Sequence, residues 1–339
     1  MKSAIITKQL NIPSRQRVEW VDYAKGIAIF LMVLGHTLRG LISSSIIQDS
    51  FLTQLVDRWI YGFHIPLFFL LSGLFFGRAR TQAPAIWLTK KLKTMVYPYF
   101  LWTIMQIALK TGFSGAVNHD ADTSLLREII YDPIDQFWFI YTLFLVSLFF
   151  YLASRLGMTA KQLLIVAIAL YLAHVVRLNF GGWGMLYLFR RHAIYFALGS
   201  VIGSKAIAPR LSSINTSGLI VAAALLLLSV GGLTVMGVQN YLLAVPLIAL
   251  LGIAGVICLS LALERLNWGA WLKNWGNLTL QIYLAHTIAS AVLRTVLQKL
   301  GIDVPLAHLV LGTAVGIYVP LWLNLACRRV GFKYLFTWP

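Results

Sequence analysis

Ten apolar runs, separated by polar residues or Gly/Pro breaks, divide this chain of 339 residues. Runs of this kind are candidate membrane helices. They lie near 22–42, 59–77, 94–111, 136–154, 162–178, 190–204, 215–235, 241–263, 277–297 and 305–327. With 59% hydrophobic and only 12% charged residues, the composition is that of a polytopic membrane protein rather than a soluble domain. The predicted fold is therefore an all-α integral membrane protein forming a single domain over 1–339, with a segment 1–20 ahead of the first run and a tail at 328–339. The first twenty residues are polar and lack the apolar core of a cleavable signal, so the first run itself is expected to direct insertion.

The charges orient the chain. With the N-terminus on the cytoplasmic side, 19 of the 28 cations fall inside, and every cytoplasmic loop carries at least two. Of the 11 acids, only Glu19, Asp22 and Glu264 fall inside. The positive-inside rule then selects ten spans with both termini cytoplasmic. The longest outer loop, about 112–135, holds Asp120, Asp122, Glu128, Asp132 and Asp135. The formal charge of +17 does not point to nucleic acid, because no soluble basic domain is present to bind it. Cys258 and Cys327 both lie in apolar runs, which indicates neither a disulfide framework nor a zinc site.

Chemistry concentrates in a few segments. Asp22-Tyr23-Ala24-Lys25-Gly26 opens the first run, and Gly35-His36 lies in its outer half. At ~100° per residue, Lys25 and His36 share one helix face, roughly 16 Å apart along the axis. Asp22 is one turn from Lys25 and can pair with it. Ionisable groups in a bilayer are expensive and usually face a cavity or a partner; the bland alternative is a snorkelling lysine and a packed histidine. The second run carries Phe63-His64-Ile65-Pro66-Leu67-Phe68-Phe69, with Ser72-Gly73 permitting close helix approach. The ninth carries Asn277, Gln281, Tyr283 and His286. Arg190-Arg191-His192 opens the sixth run, where it could hold an anionic acceptor or anchor at headgroups. Lys90-Lys91-Leu92-Lys93 precedes the third run, where clustered cations suit a phosphorylated ligand or anionic lipid.

Together these segments resemble the acyltransferase-3 family of membrane acyltransferases. The family's first helix carries a basic residue, then ten residues, then a histidine, as Lys25 and His36 do here. Its Phe-His-x-Pro-Leu-Phe-Phe-x-x-Ser-Gly motif matches 63–73, its Trp-Phe motif resembles Phe137-Trp138-Phe139, and its Ser-Leu-x-Ile-Tyr-x-x-His resembles 279–286. Lysine at 25 replaces the more usual arginine and looks like the subgroup of sugar O-acetyltransferases of the fucose-acetylase kind. Lysine lacks arginine's bidentate fork, so a phosphate contact there is a point-charge one. The basic pair that many members carry before the third helix is matched only loosely, by Lys90 and Lys93. The family's optional C-terminal esterase-like domain has no counterpart in this sequence.

The resemblance implies transfer of an acyl group, usually acetyl from cytoplasmic acetyl-CoA, without a metal. The acceptor is a hydroxyl on an envelope glycan or a lipid-linked sugar, and the site is the bacterial cytoplasmic (inner) membrane. His36 is the expected general base or acylated nucleophile, because imidazole is the side chain whose ordinary pKa lies near working pH. No Gly-x-Ser-x-Gly elbow and no cysteine near a histidine offers another nucleophile. Lys25 and Asp22 complete the expected catalytic set. Lys90 and Lys93 are expected at the donor; His64, Trp138, Arg190, Arg191, Tyr283 and His286 are expected at the acceptor. The rival is a proton-coupled transporter, which also needs ionisable groups along a membrane path. Its usual sign, paired breaks in two repeated halves, is missing: Gly181-Gly182-Trp183-Gly184 and Gly231-Gly232 do not correspond.

Overall fold

A computed structural model describes residues 18–112, 128–179, 181–203 and 206–339. Asp120 and Asp122 of the predicted outer loop lie outside the described residues, as do Lys2, Lys8, Arg15, Arg17 and Lys205. Among the described residues the chain is helical, with no strand. Ten long helices coincide with the ten predicted runs: α1 Glu19–Ser43, α2 Phe51–Leu74, α3 Tyr97–Gly112, α4 Trp138–Arg155, α5 Ala160–Val175, α6 Gly184–Ile202, α7 Thr216–Val235, α8 Val245–Leu266, α9 Thr279–Lys299 and α10 Pro305–Arg329. Among the described residues six stretches are long and apolar enough to cross a membrane: α1, α4 with its preceding turn, α7, α8, α9 and α10.

Two boundaries differ from the expectation in ways that matter for the site. Helix α2 begins at Phe51 because Ser50 accepts the Thr53 amide while Thr53 caps the Ser50 amide. This reciprocal cap satisfies orphan amide groups and puts Pro66 in the helix interior rather than near its start. Asp57, Arg58, Tyr61 and His64 thereby join one continuous helix. Helix α6 begins at Gly184, so Arg190 and Arg191 stand in its interior rather than at its opening.

Helix α1 is the hub. It packs against α2, α8, α9, α10 and the short helix Ala270–Asn277. Its approach to that short helix is backbone to backbone: a Cβ at Gly26 would stand 2.0 Å from the Leu272 carbonyl oxygen, and one at Gly276 would stand 1.8 Å from that of Asp22. The α2–α6 crossing uses the same device, with Gly73 against Phe196 and Gly199 against Leu70. Small residues allow such approach where lipid gives no hydrophobic drive between helices. Before α3 the backbone widens into one π turn, Leu92–Val96, as helices often do at functional sites. Segment 334–338 docks on this turn: Tyr97 donates to the Tyr334 carbonyl (2.8 Å), Trp102 to that of Leu335 (2.7 Å), and the Trp338 amide to that of Lys93 (3.2 Å).

Candidate active site

Four helices, α1, α2, α4 and α6, line two cavities stacked along their length, and Phe68 borders both. The first cavity, about 360 Å³, lies toward the C-terminal end of α1. The second, about 780 Å³, lies toward its N-terminal end. The shared face of α1 sends its lysine into one and its histidine into the other.

In the first cavity His36 is half-buried, and neither ring nitrogen bonds another described residue. Its ring stands 5.1 Å from that of His286 and 6.0 Å from that of Tyr61. Tyr61 meets His64 edge-on at 4.6 Å. The tautomers of the flanking histidines follow from their partners, since a carbonyl oxygen can only accept. His64 Nδ1 donates to the Ile60 carbonyl (2.8 Å), and His286 Nδ1 donates to that of Tyr283 (2.8 Å). In both, Nε2 is left as a buried acceptor with no partner among the described residues. Tyr283 is held in turn, its hydroxyl donating to the Gln136 carbonyl (2.8 Å) and accepting from the Ile140 amide (3.4 Å). His192 also lines this cavity; its Nδ1 donates to the Leu188 carbonyl (2.8 Å) and its ring stacks on Phe69 (5.0 Å).

The rim of the same cavity is charged. Arg39 forms a two-pronged ion pair with Asp57 (2.6 and 2.9 Å), and its guanidinium carbon stands 3.3 Å above the Tyr61 ring. Arg58 and Arg191 line the cavity too. Such forks suit oxyanions and aromatic faces alike.

The second cavity is lined by Lys25, Arg78, Lys90 and Lys91, with Trp87, Phe75, Phe76 and Ser147. Lys25 Nζ is 3.7 Å from the buried Asp22 carboxylate. Lys91 donates to Ser147 Oγ (3.3 Å). Burial, aided by neighbouring Lys90, lowers its ammonium pKa to about 8.

Most expected site residues therefore converge. His36, His64, Trp138, Arg191 and Tyr283 share the first cavity, with His286 beside His36; Lys25 and Lys90 share the second. Two residues stand apart. Arg190 turns toward the α5–α6 loop and donates to the Leu178 carbonyl (2.8 Å), and Lys93 donates to the Pro339 carbonyl (2.5 Å) rather than lining the cavity. On a helix, Lys91 and Lys93 point ~200° apart, so only one of them can face a given cavity. Sequence reasoning passed over Arg39, Asp57, Tyr61 and Arg78, and from the run Lys90-Lys91-Leu92-Lys93 it took Lys93 to the donor rather than Lys91. The signal was present: Arg39 is one turn beyond His36, and Asp57, Tyr61 and His64 fall on one face at i, i+4, i+7.

Two curated relatives are similar over part of their length. The nodulation protein NolL of Mesorhizobium japonicum is 30% identical over 125 residues, which is 37% of this chain and 32% of that protein. NolL of Sinorhizobium fredii is 27% identical over 148 residues, 42% of this chain and 38% of that protein. The chain thus spans about a third of the length of these relatives. No solved structure matches it. The family model described as an acyltransferase domain matches residues 18–325, which contain α1 to α9, both cavities and nearly all of α10, and on that match the chain belongs to the acyltransferase-3 family.

Proposed function

We propose that this chain is a membrane O-acyltransferase of the bacterial cytoplasmic membrane. It crosses the bilayer ten times with both termini inside, and moves an acyl group, acetyl first among them, from cytoplasmic acetyl-CoA to a hydroxyl of an envelope glycan or its lipid-linked precursor. One observation carries this reading: α1 bears Lys25 into the cation-lined second cavity and His36 into the first, and Phe68 borders both. A phosphate-rich donor and a hydroxyl acceptor can then approach from opposite sides and meet at one histidine.

The donor phosphates are read against Lys25, Arg78, Lys90 and Lys91, with the pantetheine arm running past Phe68. Asp22 holds Lys25, and it does so from a buried position. As a general base, His36 takes the proton of the acceptor hydroxyl while that oxygen bonds to the thioester carbonyl carbon. The C–S bond then breaks and the imidazolium returns the proton to the coenzyme sulfur. As a nucleophile instead, His36 carries the acyl group between the two halves. His64 and His286 have already spent their N–H on backbone carbonyls, so each offers a lone pair. They suit accepting from a sugar hydroxyl or orienting the His36 ring, not donating to an acyl oxygen.

The test is acetyl-CoA turnover by purified wild type and His36→Ala in detergent, followed as free thiol and as radiolabel on protein. Wild type releases thiol; the alanine variant, still inserted and folded, loses about 10²–10⁴-fold. Radiolabel retained on wild-type protein selects the nucleophile over the base. Absence of both turnover and coenzyme A binding by folded wild type would return the chain to the proton-coupled transporter reading, since a carrier of that kind needs no coenzyme A.

A further inference from the structure

The charges around the first cavity say what class of acceptor it takes. Three guanidiniums, from Arg39 on α1, Arg58 on α2 and Arg191 on α6, line it together with one carboxylate, Asp57. That carboxylate is already matched, both oxygens being taken by Arg39. Neither Arg58 nor Arg191 forms an ion pair among the described residues. Two cations without an ion pair thus line the cavity, Arg58 exposed and Arg191 half-buried, and their like charges repel. An incoming anion relieves that repulsion; a neutral sugar does not. Guanidinium forks favour carboxylates and phosphates.

We infer that Arg58 and Arg191 form an anion subsite beside His36, and that the acceptor is an acidic saccharide whose carboxylate or phosphate sits there while a neighbouring hydroxyl faces the imidazole. Arg39 is the spacer of this subsite: fixed by Asp57 and stacked on Tyr61, it holds the α1–α2 wall and leaves the other two guanidiniums for the ligand. The inference rests on the reading that the acceptor enters the His36 cavity.

The experiment uses the full chain in phosphatidylcholine nanodiscs. His36 carbethoxylation by diethyl pyrocarbonate is followed by mass spectrometry in the presence of methyl glucoside, methyl glucuronide or methyl glucoside 6-phosphate. The charged sugars should protect His36 at concentrations about tenfold or more below the neutral one, the ratio expected when one charged hydrogen-bonding pair separates the ligands. Arg58→Gln/Arg191→Gln, checked for fold by circular dichroism, should lose that advantage. Better protection by the phosphate points to a phosphate-linked saccharide, and by the carboxylate to a uronic-acid type. Equal protection by charged and neutral sugars, or none by any of them, overturns the inference. So does protection that appears on exchanging the lipid for phosphatidylglycerol and is unchanged by sugar, which makes the pair a headgroup site. Radiolabelled acetyl-CoA binding, measured in parallel, separates the two readings. Donor binding without charge selectivity fails the subsite alone; charge selectivity without donor binding fails the acyltransferase and leaves the subsite.

Discussion

Gly26→Ala is the most exacting single test of how α1 is held. Lys25 and Gly26 are adjacent, so their side chains leave the helix ~100° apart. The lysine faces the second cavity while the glycine meets the backbone of the short helix Ala270–Asn277. A Cβ at 26 would stand 2.0 Å from the Leu272 carbonyl oxygen and 2.7 Å from its carbon. Both atoms are backbone, so no rotamer change makes room. Reaching even 3.0 Å requires α1 and the short helix to part by about 1 Å. Overpacking of this kind costs ~1–3 kcal/mol, and a displacement near 1 Å at groups that position substrate costs about 10² in rate. The assay is acetyl-CoA thiol release by the purified variant, with its melting temperature in detergent. Gly232→Ala on α7, which meets nothing within 4 Å, is the control; it should be neutral or gain ~0.5–1 kcal/mol from helix propensity. A Gly26→Ala protein that melts with wild type and keeps its kcat/KM would refute the close α1 packing, and with it the account of why lysine and glycine stand side by side.

Other outcomes follow from the same geometry. Lys25→Met should raise the KM for acetyl-CoA by about ten- to a hundredfold, the worth of one hydrogen bond to a charged group. Lys25→Arg should retain most activity, because a cavity of about 780 Å³ admits the longer side chain; equal loss in both variants would contradict a charge-based role. Lys91, in the short helix Pro84–Lys91 outside the spans, should make donor binding pH-dependent. Its ammonium, lowered from 10.5 to about 8, loses its proton as pH rises through 8, so the KM for acetyl-CoA should climb there and climb less in Lys91→Arg. Stability of the unliganded protein runs the other way. The folded state disfavours the charged form, so the penalty is complete below about 8 and fades as pH approaches 10.5. Tyr283→Phe removes the hydroxyl that satisfies the buried Gln136 carbonyl, at ~1–3 kcal/mol; an unchanged melting temperature would show that this tie between α9 and the turn before α4 does not hold.

How much of this was written in the linear chain differs from feature to feature. Apolar run lengths predicted helices at all ten positions, and among the described residues six stretches are long and apolar enough to cross a membrane, a property that a run has whatever its neighbours. The Lys25–His36 spacing placed the two groups on one face, since helical periodicity is local. The same local reasoning could not choose between Lys91 and Lys93, or between Arg190 and Arg191. Each pair offers two directions, and only the rotation of the helix against its neighbours selects one. Nor could it find the Arg39–Asp57 pair, whose partners are 18 residues apart on different helices.

The sequence by itself therefore determined that this is a helical membrane protein with a histidine and a lysine aligned along its first helix. Tertiary structure decided which polar groups share a cavity, and that Lys25 and His36 open into different ones. The physical reason lies in the glycine contacts. Gly26 against Leu272 and Gly73 against Phe196 fix helix separation and rotation to within an atom's width, and those contacts form only between segments that the linear chain keeps far apart.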